Sequence, residues 1–285
     1  RGVRFAGLAV VLAAGYVAAG EYRWFSPGPA ASSGSFRVIH WNASNDIGST
    51  WDLNLLDQNA DLLVVNPASY QHWDRLIEKF PHAGSPLWTN AFTVFSAYPV
   101  LRWTFTSLSI DPGVGIDPRD PEHLTRRSDS GHAMFLELDT RAKLGRTMIV
   151  WCLDLPSDVT LPRRRVTEQA AHALANFRGT VQVRGEDGIY ARVTPATPGF
   201  PPPDLILGDM NIPRGSMSLS RLAGACTPAF DQAGSGPNAT WPYRRPLFHL
   251  DQMFVGPWLR AVDYRALDLG GGTHRAQRAD VVVRE

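Results

Sequence analysis

The stretch Asp204-Leu-Ile-Leu-Gly-Asp-Met-Asn211 decides how the rest of the chain is read. Its apolar run follows Pro-rich sequence and has the length and composition of a short buried strand. Gly208 allows a tight turn, after which Asp209 and Asn211 project from the strand end, where open α/β sheets place their chemistry. An acid and an amide two residues apart can share one phosphate or one attacking water. Taken alone, the segment reads equally as an ordinary Asp/Asn turn. Its meaning therefore depends on how the other strands end.

Working outward, Phe36-Arg-Val-Ile-His-Trp41 alternates like a strand and stops at Asn42. Asp61-Leu-Leu-Val-Val65 is a second buried strand and stops at Asn66-Pro67. Further strands are expected at Ala91 to Phe95, Leu101 to Ile110, His132 to Leu138 and Thr147 to Leu153. Three more close the chain, at Leu250 to Val255, Ala261 to Leu267 and Asp280 to Val283. Helices are expected from Trp51 to Asn59, capped by Ser49 or Thr50, from a Ser69 cap to Lys79, and from about Pro162 to Phe177. Glu186-Asp187-Gly188 marks a hairpin. A strand-rich chain with interspersed helices and no repeat predicts two packed sheets with helices outside. Polar residues end strands in both halves of the sequence, so one shared fold must bring them together.

The 285 residues, 44% of them hydrophobic, can bury one sizeable core. A net charge of +1 from 28 basic and 27 acidic residues provides no global field for nucleic acid, and no basic stripe with interleaved aromatics is visible. Arg126-Arg127, Arg163-Arg164-Arg165 and Arg244-Arg245 could each touch a phosphate, or form a solvated face. Cys152 and Cys226 make neither a disulfide framework nor a zinc pattern.

Residues 1–25 read as a membrane segment or signal-like anchor: Arg1 and Arg4 precede an uncharged run from Phe5 to Gly20. That run is short for a spanning helix, which needs roughly 20 residues, and near the upper limit of a signal-peptide core. Ala18-Ala19-Gly20 would permit cleavage, while Tyr22 to Phe25 suit an interfacial anchor. Basic residues ahead of the run favour an exported remainder, with the functional domain on the extracytoplasmic side. The first residue is Arg rather than Met, which fits a fragment of a longer protein. Residues 26–35 form a Pro/Gly/Ser linker, and 36–285 the main domain, expected to be monomeric.

In that order, the motifs resemble those of the endonuclease/exonuclease/phosphatase superfamily. The superfamily includes deoxyribonuclease I-like nucleases, inositol-polyphosphate phosphatases and neutral sphingomyelinases. Phe36 to Asn42 looks like its first strand, Ser96-Ala-Tyr-Pro-Val100 like its "SRYPI", and Gly208-Asp-Met-Asn211 like its "GDFN". Thr240-Trp-Pro242 with His249-Leu-Asp251 resembles "TWP…IDH", and Gly272-Thr-His274-Arg275 resembles "SDHR". The resemblance implies a four-layer α/β sandwich of two mixed sheets with helices outside. It also implies a phosphoester hydrolase assisted by Mg²⁺ or Mn²⁺. Carried over residue by residue, it makes Asp209 the group that orients or deprotonates water and has Asn42 and Asn211 hydrogen-bond phosphate or water. His274 would donate to the phosphate, with Asp251 on its other ring nitrogen.

Three positions depart from the pattern. Asn66 stands where the superfamily has a metal-binding Glu, Thr273 replaces the acid before the terminal His, and Asp154 replaces a phosphate-contacting His. Mg²⁺ is a hard cation that binds through carboxylates and water, so the usual metal site should be much weakened. Either a metal has moved toward Asp154, Asp209 and Asn66, or the site no longer handles phosphate. Two functions follow: a hydrolase with an atypical metal site acting on a phosphoester substrate, or an inactive relative serving as a binding or scaffolding domain.

Overall fold

The computed structural model describes residues 34–43, 51–66, 74–80, 87–89, 91–110 and 130–285, with positions 11, 12, 15, 17, 19 and 22–24. Two mixed sheets pack face to face. The six-stranded sheet has the order β13-β14-β1-β2-β4-β3. It comprises β1 Phe36–Asn42, β2 Leu62–Asn66, β3 Leu87–Trp88, β4 Thr93–Ser96, β13 Leu259–Leu267 and β14 Ala276–Val283. The eight-stranded sheet has the order β11-β12-β10-β7-β6-β5-β8-β9. Its strands are β5 Val100–Leu108, β6 Gly131–Leu138, β7 Met148–Asp154, β8 Val181–Arg184, β9 Tyr190–Val193, β10 Leu205–Asp209, β11 Thr227–Pro228 and β12 Asp251–Val255.

The central strands are apolar on both faces because both faces are covered. Phe36 and Val38 of β1 and Leu62 and Val64 of β2 pack between the sheets against Met134, Val150, Leu205, Leu207 and Met253. The alternate residues Ile39, Trp41, Leu63 and Val65 point outward, under Leu55 and Leu76 of the helices Trp51–Leu56 and Asp74–Lys79. On the far side, Phe135, Leu153 and Ile206 pack under Val166, Ala170 and Leu174 of the helix Arg163–Ala175. Each such buried side chain contributes about 1.5–3 kcal/mol. The result is a four-layer α/β sandwich.

The same period of two positions the functional residues. The inner face of β1 runs Phe36, Val38, His40, Asn42, that of β2 Leu62, Val64, Asn66, that of β7 Val150, Cys152, Asp154, and that of β10 Leu205, Leu207, Asp209. Antiparallel β12 and β6 begin at this end with Asp251 and His132 before turning apolar at Met253 and Met134. Register aligns them: Asn42 pairs with Asn66, Asp209 with both Asp154 and Asp251, and Asp154 with His132. The layer between the sheets is thus apolar along its length and polar at one end.

Differences from the sequence reading are local. The first helix ends at Leu56 rather than Asn59, because Asn59 takes a left-handed φ of 50°. The strand expected from Ala91 begins at Thr93. Helices Arg141–Leu144, Ser220–Ala223 and Ala229–Ala233 are too short to show helical periodicity and were not expected. The caps Ser49, Thr50 and Ser69, the loop 111–127, and nearly all of the expected anchor and linker lie outside the described residues. Among the described residues no helix is long and apolar enough to cross a membrane. The Tyr22 carbonyl accepts a hydrogen bond from Gly236 N at 2.7 Å.

Candidate active site

Gly208 is the hinge of the site. Its φ is 148°, and a Cβ there would lie 1.7 Å from the Leu153 carbonyl oxygen. Only glycine therefore lets β10 run this close beside β7, which brings Asp209 next to Asp154. One carboxylate oxygen of Asp209 accepts from Asn42 Nδ2 at 2.8 Å, and the other from Asn211 N at 2.8 Å. Asn211 sits in the left-handed region at φ 48° and donates Nδ2 to the Leu155 carbonyl at 2.7 Å. Its side chain is therefore pinned, not free to swing toward a ligand.

His274 arrives from the opposite edge. Its Nδ1 lies 2.7 Å from Asp251 Oδ2 and 3.8 Å from Asp209 Oδ2. Since Nδ1–H donates to Asp251, Nε2 is the nitrogen available to a ligand. Trp41 Nε1 holds the His274 carbonyl at 3.1 Å, and Arg275 N donates to the Thr240 carbonyl at 2.8 Å. The Thr240 hydroxyl in turn accepts from Asp251 N at 3.2 Å. Thr240 thus fixes both partners of the His–Asp pair. Its place in the sequence motif does not by itself reveal that task.

These groups are 2% (Asp209), 0% (Asp251) and 6% (His274) exposed, so their charges act on one another with little screening. Burial pushes the Asp209 carboxyl up to about 7, and the negative charges of Asp251 and Asp154 add to the rise. Burial opposes the charge on Asp251 too, but the His274 imidazolium and its hydrogen bond outweigh it and hold Asp251 below the usual carboxylate range. For His274, burial favours the neutral ring, yet Asp251 and then Asp209 raise its pKa. Behind them, burial keeps His40 neutral. Its Nδ1 pairs with Gln277 Nε2 at 3.0 Å, and Gln277 Oε1 accepts from the Tyr264 hydroxyl at 2.7 Å.

A cleft of about 580 Å³ opens over this array, within the range of small-molecule sites. Asn42, Asp154, Asp209, Asn211 and His274 line it, and so does His132, which sequence reasoning passed over as merely the start of a strand. The signal was present: with period two, His132 is the last inward position of β6 at the polar end. Leu155, Trp241, Phe248 and Leu250 form an apolar wall. Among the described residues, no Lys or Arg side chain lines the cleft, so neither Arg163-Arg164-Arg165 nor Arg244-Arg245 reaches it. Asp251 lies behind His274 rather than in the wall, while Asn66 and Thr273 are not part of the lining.

The divalent cation implied by the resemblance does not fit these residues. Asn66, at the position of the expected Glu, is 1% exposed, and among the described residues neither its Oδ1 nor its Nδ2 has a close hydrogen-bond partner. An amide oxygen is a neutral donor, and Mg²⁺ needs carboxylate charge. Thr273 is exposed, and its carbonyl accepts from Tyr243 N at 2.9 Å. Asp209, Asp251 and His274 have ligand atoms within 4.8 Å of one another, but Asp251 and His274 Nδ1 are bonded to each other at 2.7 Å. Asp154 stands outside that group, with Oδ2 3.9 Å from His132 Nδ1.

A two-sheet sandwich with this polar end is the endonuclease/exonuclease/phosphatase fold. A protein of that family from Bacteroides thetaiotaomicron superposes with a TM-score of 0.56 at 13% identity, over 91% of this chain and 100% of its own. A mannosyl-6-phosphatase from the same organism gives 0.54 at 13% identity, over 87% of this chain and 100% of its own. D. rerio TDP2, solved with a single-strand DNA product, gives 0.51 at 11% identity, over 88% and 99%. No protein-family model matches the sequence, and neither does any curated protein.

Proposed function

We propose that the protein hydrolyses phosphoester bonds, with phosphodiesters as its better substrates. The observation that carries this is the His274 Nδ1–Asp251 contact of 2.7 Å beside an Asp209 held by Asn42 and Asn211 in an open cleft. Asp209, with its raised pKa, takes a proton from the attacking water near neutral pH. Nε2 of His274 donates to a non-bridging phosphoryl oxygen, and the charge on Asp251 keeps that ring protonated. Asn42 holds Asp209 in its reactive orientation. A diester carries one negative charge where a monoester carries up to two. A cleft with two carboxylates and no Lys or Arg among its lining residues favours the diester.

A divalent cation, where it takes part, comes with the substrate's phosphate rather than as a tightly held resident, because Asn66 and Thr273 supply no charge. The deciding experiment is turnover of bis(4-nitrophenyl) phosphate by the full chain, with and without EDTA, against Asp209→Ala. Measurable turnover that falls about 10³-fold in the variant supports the reading. No turnover, or an unchanged variant, removes it. The neutral Asn66 at the place of an expected Glu favours a second reading, that of an inactive binding or scaffolding domain; it gains if no phosphoester is turned over. Export or membrane anchoring through residues 1–25 remains part of the proposal, and protease protection of the protein in membrane vesicles tests it.

A further inference from the structure

We propose that His132 is the general acid of this site, passing a proton from Nε2 to the leaving-group oxygen while Asp154 holds its other ring nitrogen. The inference rests on the phosphoester reading above. The histidine expected at position 154 is missing, but its antiparallel partner across the ladder is itself a histidine, directed to the same inner face. Nδ1 of His132 is buried, has no hydrogen-bond partner among the described residues, and lies 3.9 Å from Asp154 Oδ2. Nε2 is thus the nitrogen left to the cleft that His132 lines. Phe105 stacks on the ring, with centroids 5.6 Å apart and planes 16° from parallel, and fixes its plane. Contacts of this kind are often long without substrate and tighten when it binds.

The strand order β12-β10-β7-β6 makes the rim a row, His274·Asp251·Asp209·Asp154·His132, with a histidine at each end. Two strand spacings separate Asp209 from His132, roughly 10 Å between backbones. That span leaves room for a phosphoryl group with its attacking and leaving oxygens on one axis. The water oxygen bonds to phosphorus as its proton passes to Asp209. The phosphorus–oxygen bond to the leaving group breaks, its electron pair stays on that oxygen, and the proton from His132 Nε2 converts it to the alcohol. A second proton exchange with solvent resets Asp209 and His132.

The test is dependence on the leaving group. Methyl 4-nitrophenyl phosphate releases a stable anion that needs no proton, whereas methyl phenyl phosphate releases a basic one. His132→Gln should lose about 10²-fold in kcat/KM on the phenyl ester and less than about threefold on the nitrophenyl ester. Asp154→Asn should show the same bias at roughly a tenth of the size, which keeps the test open if His132→Gln fails to fold. Equal losses on both esters, or none, would overturn the proposal and leave the hydrolase reading standing. A wild-type protein that turns over neither ester overturns both.

Discussion

The eight-stranded sheet ends, at the polar end of the sandwich, in Asp251, Asp209, Asp154 and His132; the six-stranded sheet ends there in the amides Asn42 and Asn66. The eight-stranded sheet carries the carboxylates, and the six-stranded sheet contributes the amides and, just ahead of β14, His274. Three carboxylates on adjacent strands, with cross-strand partners about 5 Å apart, repel one another. Burial and this repulsion raise the Asp209 carboxyl to about 7, and the His274 imidazolium offsets the charge on Asp251. Among the described residues the strand ends of the six-stranded sheet offer no carboxylate at this end, so the acid–base groups are the carboxylates opposite and the two histidines.

Several substitutions would break this asymmetry if it is wrong. The largest effect should come from Asp209→Asn, which keeps the shape but removes the base: steady-state kinetics should show a loss of about 10³–10⁴ in kcat/KM. His274→Gln should lose about 10²–10³, and Asp251→Asn a similar amount because it leaves the ring uncharged and its tautomer unset. If Asp251→Asn retains full activity, the two groups do not act as a unit. The pH profile tests the row more gently. Asp209, raised to about 7, is protonated and idle below that pH. The kcat/KM should therefore drop about tenfold per unit below about pH 7, and this limb should vanish in Asp209→Asn. The linked stability has the opposite sign. The folded state holds the Asp209 proton more tightly than the unfolded chain does, so stability decreases as pH rises from about 4 to about 7.

Much of this was legible in the sequence, and the limit is physical. Asp209, Asn211, Asn42, Asp251 and His274 sit on motifs whose spacing is set by strand ends, so order along the chain was enough to gather them. His132 opens an expected strand and His40 lies inside one, and in an apolar strand pattern a histidine reads as one more core residue. Period two puts each on an inward position, and cross-strand register then places His132 opposite Asp154. Thr240 acts through its hydroxyl on the backbone of β12, a contact spanning 11 residues that no periodicity encodes. The losses at Asn66 and Thr273 were visible as substitutions. The burial of Asn66 was not visible, because burial of a single amide depends on the packing around it.

The smallest and sharpest effect concerns Asn66. Asn66 is buried beside His40, whose ring burial keeps neutral and whose pKa the Asn66 amide raises only in part. Asn66→Glu would put a carboxylate on the six-stranded side and give both sheets a share of the charge. If the asymmetry is what excludes a resident cation, this variant should bind Mn²⁺ by calorimetry at millimolar affinity or tighter, where the wild type shows no stoichiometric binding. Turnover should rise only a few-fold with Mn²⁺, since the acid–base row is already in place. Tight Mn²⁺ binding by the wild type would break the comparison outright. It would mean that the carboxylates of one sheet suffice to hold the ion, and that the amides opposite merely stand near it.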